Sequence, residues 1–307
     1  MGFVEDLILG GTSGVIAKTA CAPLERVKIV LQTQAANAQL EGAGARKFIG
    51  IGDAFRRIAN EQGVMAFWRG NTANCLRYFP TQAMNFAFKE KFQKLFVRPK
   101  EEVGFAMFFM GYLAAGGAAG ATSLTVSYPL EYTYTRMAAD VGDANGKRMY
   151  NGIVDCIKKT VQSDGVVGLY RGYGPSVAGI IVYRAIYFGF YDFSKTSVLP
   201  SLNLQERSMA QVIAKFGIAL CVDICAAMSA YPLDTIRRNM MMQSNRAADE
   251  VLFTSSFGCF KHLVKKDGVK GLYKGALMNN IRAVGSAAVL VIYDELKSML
   301  HQSDKKA

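Results

Sequence analysis

The sequence predicts an all-α membrane protein assembled from one unit used three times, each unit supplying two membrane-crossing helices with a short helix between them. Three observations lead there. Val103 to Leu130 forms 28 residues without a charge, longer than the roughly 20 a helix needs to span a bilayer. Three landmarks recur in one order at a spacing of roughly a hundred residues, the mark of an internal repeat. Lys and Arg gather in three polar loops, one per unit, which the positive-inside tendency puts on one side of a membrane. The chain has 307 residues and a net charge of +12, with 51% hydrophobic residues. That excludes a disulfide scaffold and a disordered chain. Basic charge alone would also fit a nucleic-acid binder, which leaves the apolar segments unexplained.

The first landmark is Pro23-Leu24-Glu25, Pro129-Leu130-Glu131 and Pro232-Leu233-Asp234. The second is the box ending Trp68-Arg69-Gly70, Tyr170-Arg171-Gly172 and Tyr273-Lys274-Gly275. The third is an acid, Glu90, Asp192 and Asp294, some 20 residues further on. They divide the chain into repeats 1–100, 101–203 and 204–307. In the first, an apolar segment over 4–34 leads to a short helix over 52–61, stopped by Gly63, and to a second segment over 72–96. The second repeat reads 105–139, 153–163 stopped by Gly165, and 174–198. The third reads 208–240, 256–266 stopped by Gly268, and 276–299. Charges interrupt several segments: Arg184, Lys215, Asp223, Asp234 and Arg282. A charge at the bilayer centre costs about 2.5–3.5 kcal/mol, so these should face a bundle interior or a watery path.

Pro inside a helix removes a backbone hydrogen bond, so Pro23, Pro129 and Pro232 are expected to kink the odd-numbered long helices. The acid two residues later and the base five later stand three apart on one face. They can pair within a helix or, base to acid, in a ring across helices; the ring is favoured because unpaired charge is costly at that depth. Position 134, where a third base would stand, is Tyr. Asp234 is therefore expected to have only a phenolic hydrogen bond. A second gate at the other end would use Tyr191, Asp192 and Lys195 with Tyr293, Asp294 and Lys297; in the first repeat the slots hold Glu90 and Gln93. With one neutral link each, both gates are expected to be weaker than fully ionic ones.

A substrate without three-fold symmetry needs contacts that break it. Seven residues after the box glycine stand Arg77, Gly179 and Arg282, and five before the prolines Lys18, Leu124 and Ala227. Lys18, Arg77 and Arg282 make a cationic site for a polyanion, with Gly179 and Ile180 suited to a flat base and Tyr183 nearby. Arg184 fits a structural partner as well as a functional one. Nine before the prolines stand Gly14, Gly120 and Asp223; the glycines, with Gly10 and Gly116, suggest close helix packing. Asp223 is either a selectivity or proton-linked element or a structural acid with a partner. The run Met240-Met241-Met242 fits packing as well as a site.

No metal is expected: Cys21, Cys75, Cys156, Cys221, Cys225 and Cys259 form no CxxC pair or Cys/His cluster, and for Cys221 and Cys225, four apart in an apolar stretch, buried reduced thiols are the simpler reading. An enzyme is disfavoured by two His (His262, His301) and no phosphate loop or Ser-His-Asp context. The first residues carry no basic or Arg-rich presequence, so an organelle address would be internal.

The triplicated Pro-x-acid-x-x-base motif and the acidic-Gly…aromatic-basic-Gly box resemble the mitochondrial carrier family over essentially the whole chain. Within it, Lys18-Thr19-Ala20, the stretch from Arg77 to Lys89, Gly179 to Ala185 and Met240 to Gln243 are most similar to the members that exchange ADP for ATP. One departure is Asn239, which follows Arg237-Arg238 where those members have a third Arg. The resemblance implies six transmembrane helices in a three-fold pseudosymmetric bundle with three short matrix helices, alternating access across the inner mitochondrial membrane, and both termini on the intermembrane-space side. It implies that Lys28 pairs with Glu131 and Arg237 with Glu25, with Gln32 bracing this matrix gate. It implies a monomer with no cofactor beyond bound cardiolipin, held by helix-start N–H groups at Gly50, Gly70, Gly152, Gly172 and Gly275. Phe253-Thr254-Ser255 lacks the matching Gly, so the third lipid site should be weaker.

Overall fold

The structure, a computed structural model, describes residues 3–41, 46–142, 147–194, 198–199 and 209–285. Among them the chain is nearly all helical and has no strand. The long helices are α1 (Phe3–Thr33), α3 (Asn71–Phe96), α4 (Lys100–Ala139), α6 (Tyr173–Phe193) and α7 (Met209–Met241). Between them stand the short α2 (Ile51–Arg57), continued by a π turn over Ile58–Gln62, α5 (Ile153–Gly168) and α8 (Ser256–Asp267). A last helix, α9, is described over 276–285. Glu102–Ala139 and Met209–Met241 are long and apolar enough to cross a membrane. α1, α4 and α7, which carry Pro23, Pro129 and Pro232, each touch the other two, α3 packs along α4, and α6 along α7.

Gly63, Gly165 and Gly268 end the short helical runs with φ of +81°, +69° and +68°, a region that Gly enters without steric cost. Each is followed by a tight turn that carries the box aromatic and base. The acid or amide before each Gly holds the base in the box. Arg69 donates to Gln62 at 2.9 Å, Arg171 meets Asp164 at 2.6 Å and Lys274 meets Asp267 at 2.8 Å.

The three prolines lie within continuous helices. A proline orphans the carbonyl four residues before it. In the first two repeats the box aromatic supplies the missing donor. Trp68 Nε1 donates to the Thr19 carbonyl at 2.9 Å, and the Tyr170 hydroxyl to the Thr125 carbonyl at 3.1 Å. In the second and third repeats the residue before the proline returns a bond: the hydroxyls of Tyr128 and Tyr231 donate to the carbonyls of Arg171 and Lys274 at 3.0 and 2.9 Å. Their rings stack on Tyr170 and Tyr273.

The apolar core gathers around the short helices. One cluster joins Tyr132, Tyr150, Cys156, Met241, Cys259 and Leu263, and another joins Val27, Val30, Phe48, Ile58, Phe67 and Met278. Met240, Met241 and Met242 are all buried here, so the methionine run is packing. Ala54, Cys156 and Cys259, equivalent positions, are each 0% exposed.

Candidate functional site

A cavity of about 590 Å³ opens between the long helices. Seven bases line it (Lys18, Lys28, Arg77, Arg184, Arg237, Arg238, Arg282) against four acids (Glu25, Glu131, Asp223, Asp234). The excess of three positive charges suits a polyanion. Gly179, Ile180 and Tyr183 line the same cavity. Arg77 and Arg282 face it too, so neither runs out to an interface.

The narrow end carries an ionic network built from the three Pro-x-acid-x-x-base motifs, but its sense of rotation is opposite to the expected one. Lys28 meets Asp234 at 3.1 Å and not Glu131. Arg237 meets Glu131 at 3.2 Å and not Glu25, and also Asp234 on its own helix at 2.7 Å. Glu25 accepts the Tyr134 hydroxyl at 2.5 Å. Asp234, expected to have a phenolic partner alone, is instead the most connected acid. The base slot of each helix reaches the acid of the preceding repeat. Spacing puts acid and base on one face but leaves open which neighbour lies on which side of that face. Gln32 lies beneath the Lys28–Asp234 pair and donates to Asp234 at 3.0 Å and to Thr235 at 2.9 Å. Arg238 enters the network as well, 3.3 Å from Asp234 and 4.0 Å from Glu131.

Small residues lock the network to the box. Gly70, Gly172 and Gly275 have φ of +82°, +84° and +82°. Each abuts the backbone of the next base slot: a Cβ would lie 3.0 Å from the Tyr134 carbonyl, 2.5 Å from that of Arg237 and 3.0 Å from that of Lys28. These glycines thus have a packing reason as well as a conformational one. Gly50 and Gly152 precede α2 and α5 with extended backbones and open space around them. In the third repeat Ser255 caps α8, accepting from the Gly258 N–H.

Of Lys18, Arg77 and Arg282, two are held by network acids. Arg77 pairs with Glu131 at 2.8 Å and Arg282 with Glu25 at 3.7 Å. Asn74, 1% exposed, links the rest: its Oδ1 accepts from Lys18 at 3.4 Å and Arg77 at 3.1 Å, while its Nδ2 donates to Glu25 at 2.8 Å. Asn279 accepts from Lys28 at 2.8 Å. Sequence reasoning missed both amides. They stand four residues after the box glycine, with Ser176 between them in the series, a repeat-matched polar position that could have been read.

Gly116 and Gly120, expected to serve close helix packing, face α6 and receive its side chains. They make room for the Arg184 guanidinium and Ile180: a Cβ on Gly116 would lie 2.6 Å from Arg184 Nη1, and one on Gly120 3.1 Å from Ile180. Gly14 likewise receives the Tyr78 ring. Gly10's surroundings lie outside the described side chains. Arg136 leaves the cavity for Tyr150 and the Ser244 carbonyl. Asn239 donates to the Gln32 and Thr235 carbonyls at 3.1 and 2.8 Å, tying α7 to α1.

At the far end, Glu90 and Gln93 lie near the end of α3, and Tyr191 near the end of α6, stacked on Tyr187. Among the described residues no ion pair reaches Glu90. The Asp192 side chain, Lys195, Tyr293, Asp294 and Lys297 lie outside the described residues.

A family profile described as "Mitochondrial carrier protein" matches residues 1–100, 106–201 and 208–304. An "ADP,ATP carrier protein" of Neurospora crassa is 49% identical over 302 residues, 97% of this chain and 93% of that protein. An "ADP/ATP translocase" of Thermothelomyces thermophilus is 48% identical over 304 residues, 97% of this chain and 92% of that protein. "ADP/ATP translocase 3" of Homo sapiens is 46% identical over 301 residues, 98% of each chain. Motif, network geometry and similarity along the whole length agree, and the chain belongs to the mitochondrial carrier family.

Proposed function

We propose that the protein is an antiporter exchanging ADP for ATP across the inner mitochondrial membrane, the exchange for which its relatives are named. The observation that carries this is the double engagement of Arg77 and Arg282, which line the cavity and pair with Glu131 and Glu25 of the network. A nucleotide's phosphates offer several charged acceptors to a guanidinium that a single carboxylate now holds. When phosphates take Arg77, Arg282 and Lys18, Glu131 and Glu25 each lose a partner, and Asn74 loses two of its donors. Substrate binding therefore weakens the closed network as it forms. Such a bias is effective only because the ligand binds the two states unequally. The base lies against Gly179, Ile180 and Tyr183.

The same reading takes the chain as a three-fold pseudosymmetric bundle of six spans with three short matrix helices. Its support is the mutual contact of α1, α4 and α7 and the repeat-matched glycine joints. Glu25, Lys28, Gln32, Glu131, Asp234 and Arg237 form the matrix gate. Glu90, Gln93, Tyr191, Asp192, Lys195, Tyr293, Asp294 and Lys297 form the cytoplasmic gate. Both termini face the intermembrane space, the working unit is a monomer, and cardiolipin docks at the helix starts marked by Gly50, Gly70, Gly152, Gly172 and Gly275.

Cardiolipin-containing liposomes loaded with ADP should take up labelled ATP. Arg77→Ala should reduce that uptake at least a hundredfold, on the order of a lost charged contact and more, while circular dichroism stays unchanged. No ADP-dependent ATP uptake, with brisk exchange of another anion, would overturn the reading.

A further inference from the structure

We propose that Asp223 is a specificity-determining acceptor for the nucleotide base: its carboxylate takes the exocyclic amino group of a 6-aminopurine. The inference rests on the exchange reading above and deepens it. Three observations carry it. Asp223 lines the same cavity as the cationic trio and as Gly179, Ile180 and Tyr183. The Tyr183 hydroxyl donates to Asp223 Oδ1. One donor leaves most of a carboxylate's acceptor capacity unused, since the group has roughly four lone-pair sites. Among the described residues no base pairs with it, in contrast to Glu25, Glu131 and Asp234.

The neighbouring base is accounted for. Arg184 lays its guanidinium against Gly116 and Gly120 of α4, so it does not neutralise Asp223. The repeat comparison explains why the acid stays open to the cavity. At the equivalent positions Gly14 and Gly120 are sockets filled from the following helix by Tyr78 and by Ile180. The third counterpart of those plugs is Ala283, which offers a methyl group alone, and the third socket is replaced by Asp223 itself. Large and small have changed sides, and the side chain that results is an anionic acceptor.

An anion in a polyanion site would repel its ligand unless it meets a donor. A ligand with phosphates at one end and an N–H donor at the other satisfies both walls. Tyr183 is a positioning residue that orients the carboxylate, and the tyrosine ladder behind it, with Tyr187 centred 5.9 Å away, restrains its ring.

The test compares ADP with purine riboside 5′-diphosphate, which lacks the 6-amino group and differs in nothing else. Each competes against labelled ADP for uptake into ADP-loaded liposomes, with inorganic pyrophosphate as a probe of the phosphate end. The wild-type protein should bind the analogue at least roughly tenfold more weakly than ADP, as for a site built to hydrogen-bond a group that is then missing. In Asp223→Ala the ratio should shrink to about threefold or less, through weaker ADP, with pyrophosphate inhibition unchanged. Tyr183→Phe should shrink the ratio part of the way. Equal affinity of wild type for both diphosphates overturns the inference, and needs no variant to fold. An undiminished ratio in Asp223→Ala overturns it as well. Wild-type transport of ADP in the same vesicles tests the exchange reading separately.

Discussion

Tyr134 is the residue at which this chain leaves the ionic pattern, and its consequences are local. It gives Glu25 a neutral partner from the base slot of the next repeat, where Glu131 and Asp234 have Arg237 and Lys28. The phenol is buried, so its bond to Glu25 is sheltered from water and still lacks a full charge. Tyr134→Arg should add a charge-assisted bond to a buried carboxylate, worth about 1.5–3 kcal/mol. The closed network gains that stability and opening loses it. Thermal unfolding in detergent should shift upward, and ADP/ATP exchange in liposomes should slow severalfold. An unchanged rate would show that opening this joint does not limit turnover. The existence of the acid–base ring was legible from residue types and spacing. Its direction was not, because rotation sense depends on how three helices are arranged around an axis, and one helix's sequence carries no record of that. Asn74 was legible in principle and overlooked, because a lone amide draws less attention than the bases it joins.

At the scale of the element, the box and the proline motif prove to be one device. The proline frees a carbonyl, and the box aromatic, some 45 residues on, caps it. Trp68→Phe keeps the ring and removes the donor. The Thr19 carbonyl then stands unpaired, at about 1–3 kcal/mol, and chemical or thermal unfolding should register the loss. The glycine joints make a second prediction. Gly172→Ala puts a Cβ 2.5 Å from the Arg237 carbonyl in a left-handed conformation, a combination that should cost more than the roughly 1–3 kcal/mol of backbone strain alone. Gly152→Ala meets open space and should leave stability nearly unchanged; any fall in its cardiolipin dependence would then report on lipid. Helix positions and stops were readable from hydropathy and Gly. The use of Gly116 and Gly120 was not: the same GxxxG that lets backbones approach also houses a guanidinium, and only the packed partner distinguishes the two.

Across the whole molecule, charge and apolar mass are segregated. The cavity holds the surplus bases, and the core lies beyond the network around the short helices. Cys156 and Cys259 mark that core, whereas Cys221 and Cys225, expected to be buried, are exposed on α7. Burial pushes the Cys156 and Cys259 thiols up to about 12, so almost no thiolate exists there near neutral pH. Maleimide at pH 7.5 should leave both unmodified in the folded carrier and label both after unfolding, as read by peptide mass spectrometry. The overall class was legible because the repeat is strong. The hydropathy of single segments was a poorer guide: among the described residues two helices meet a simple criterion for spanning.

The glycine joints run Gly70 to Tyr134, Gly172 to Arg237 and Gly275 to Lys28. Read as a graph, they take the first repeat to the second, the second to the third, and the third back to the first. A row of three would have two loose ends at which fraying could begin. A loop has none. Removing one repeat breaks two joints out of three, so a two-repeat fragment is an unclosed arc and not a smaller carrier. Closure therefore needs all three repeats, the number at which the arc meets its own beginning.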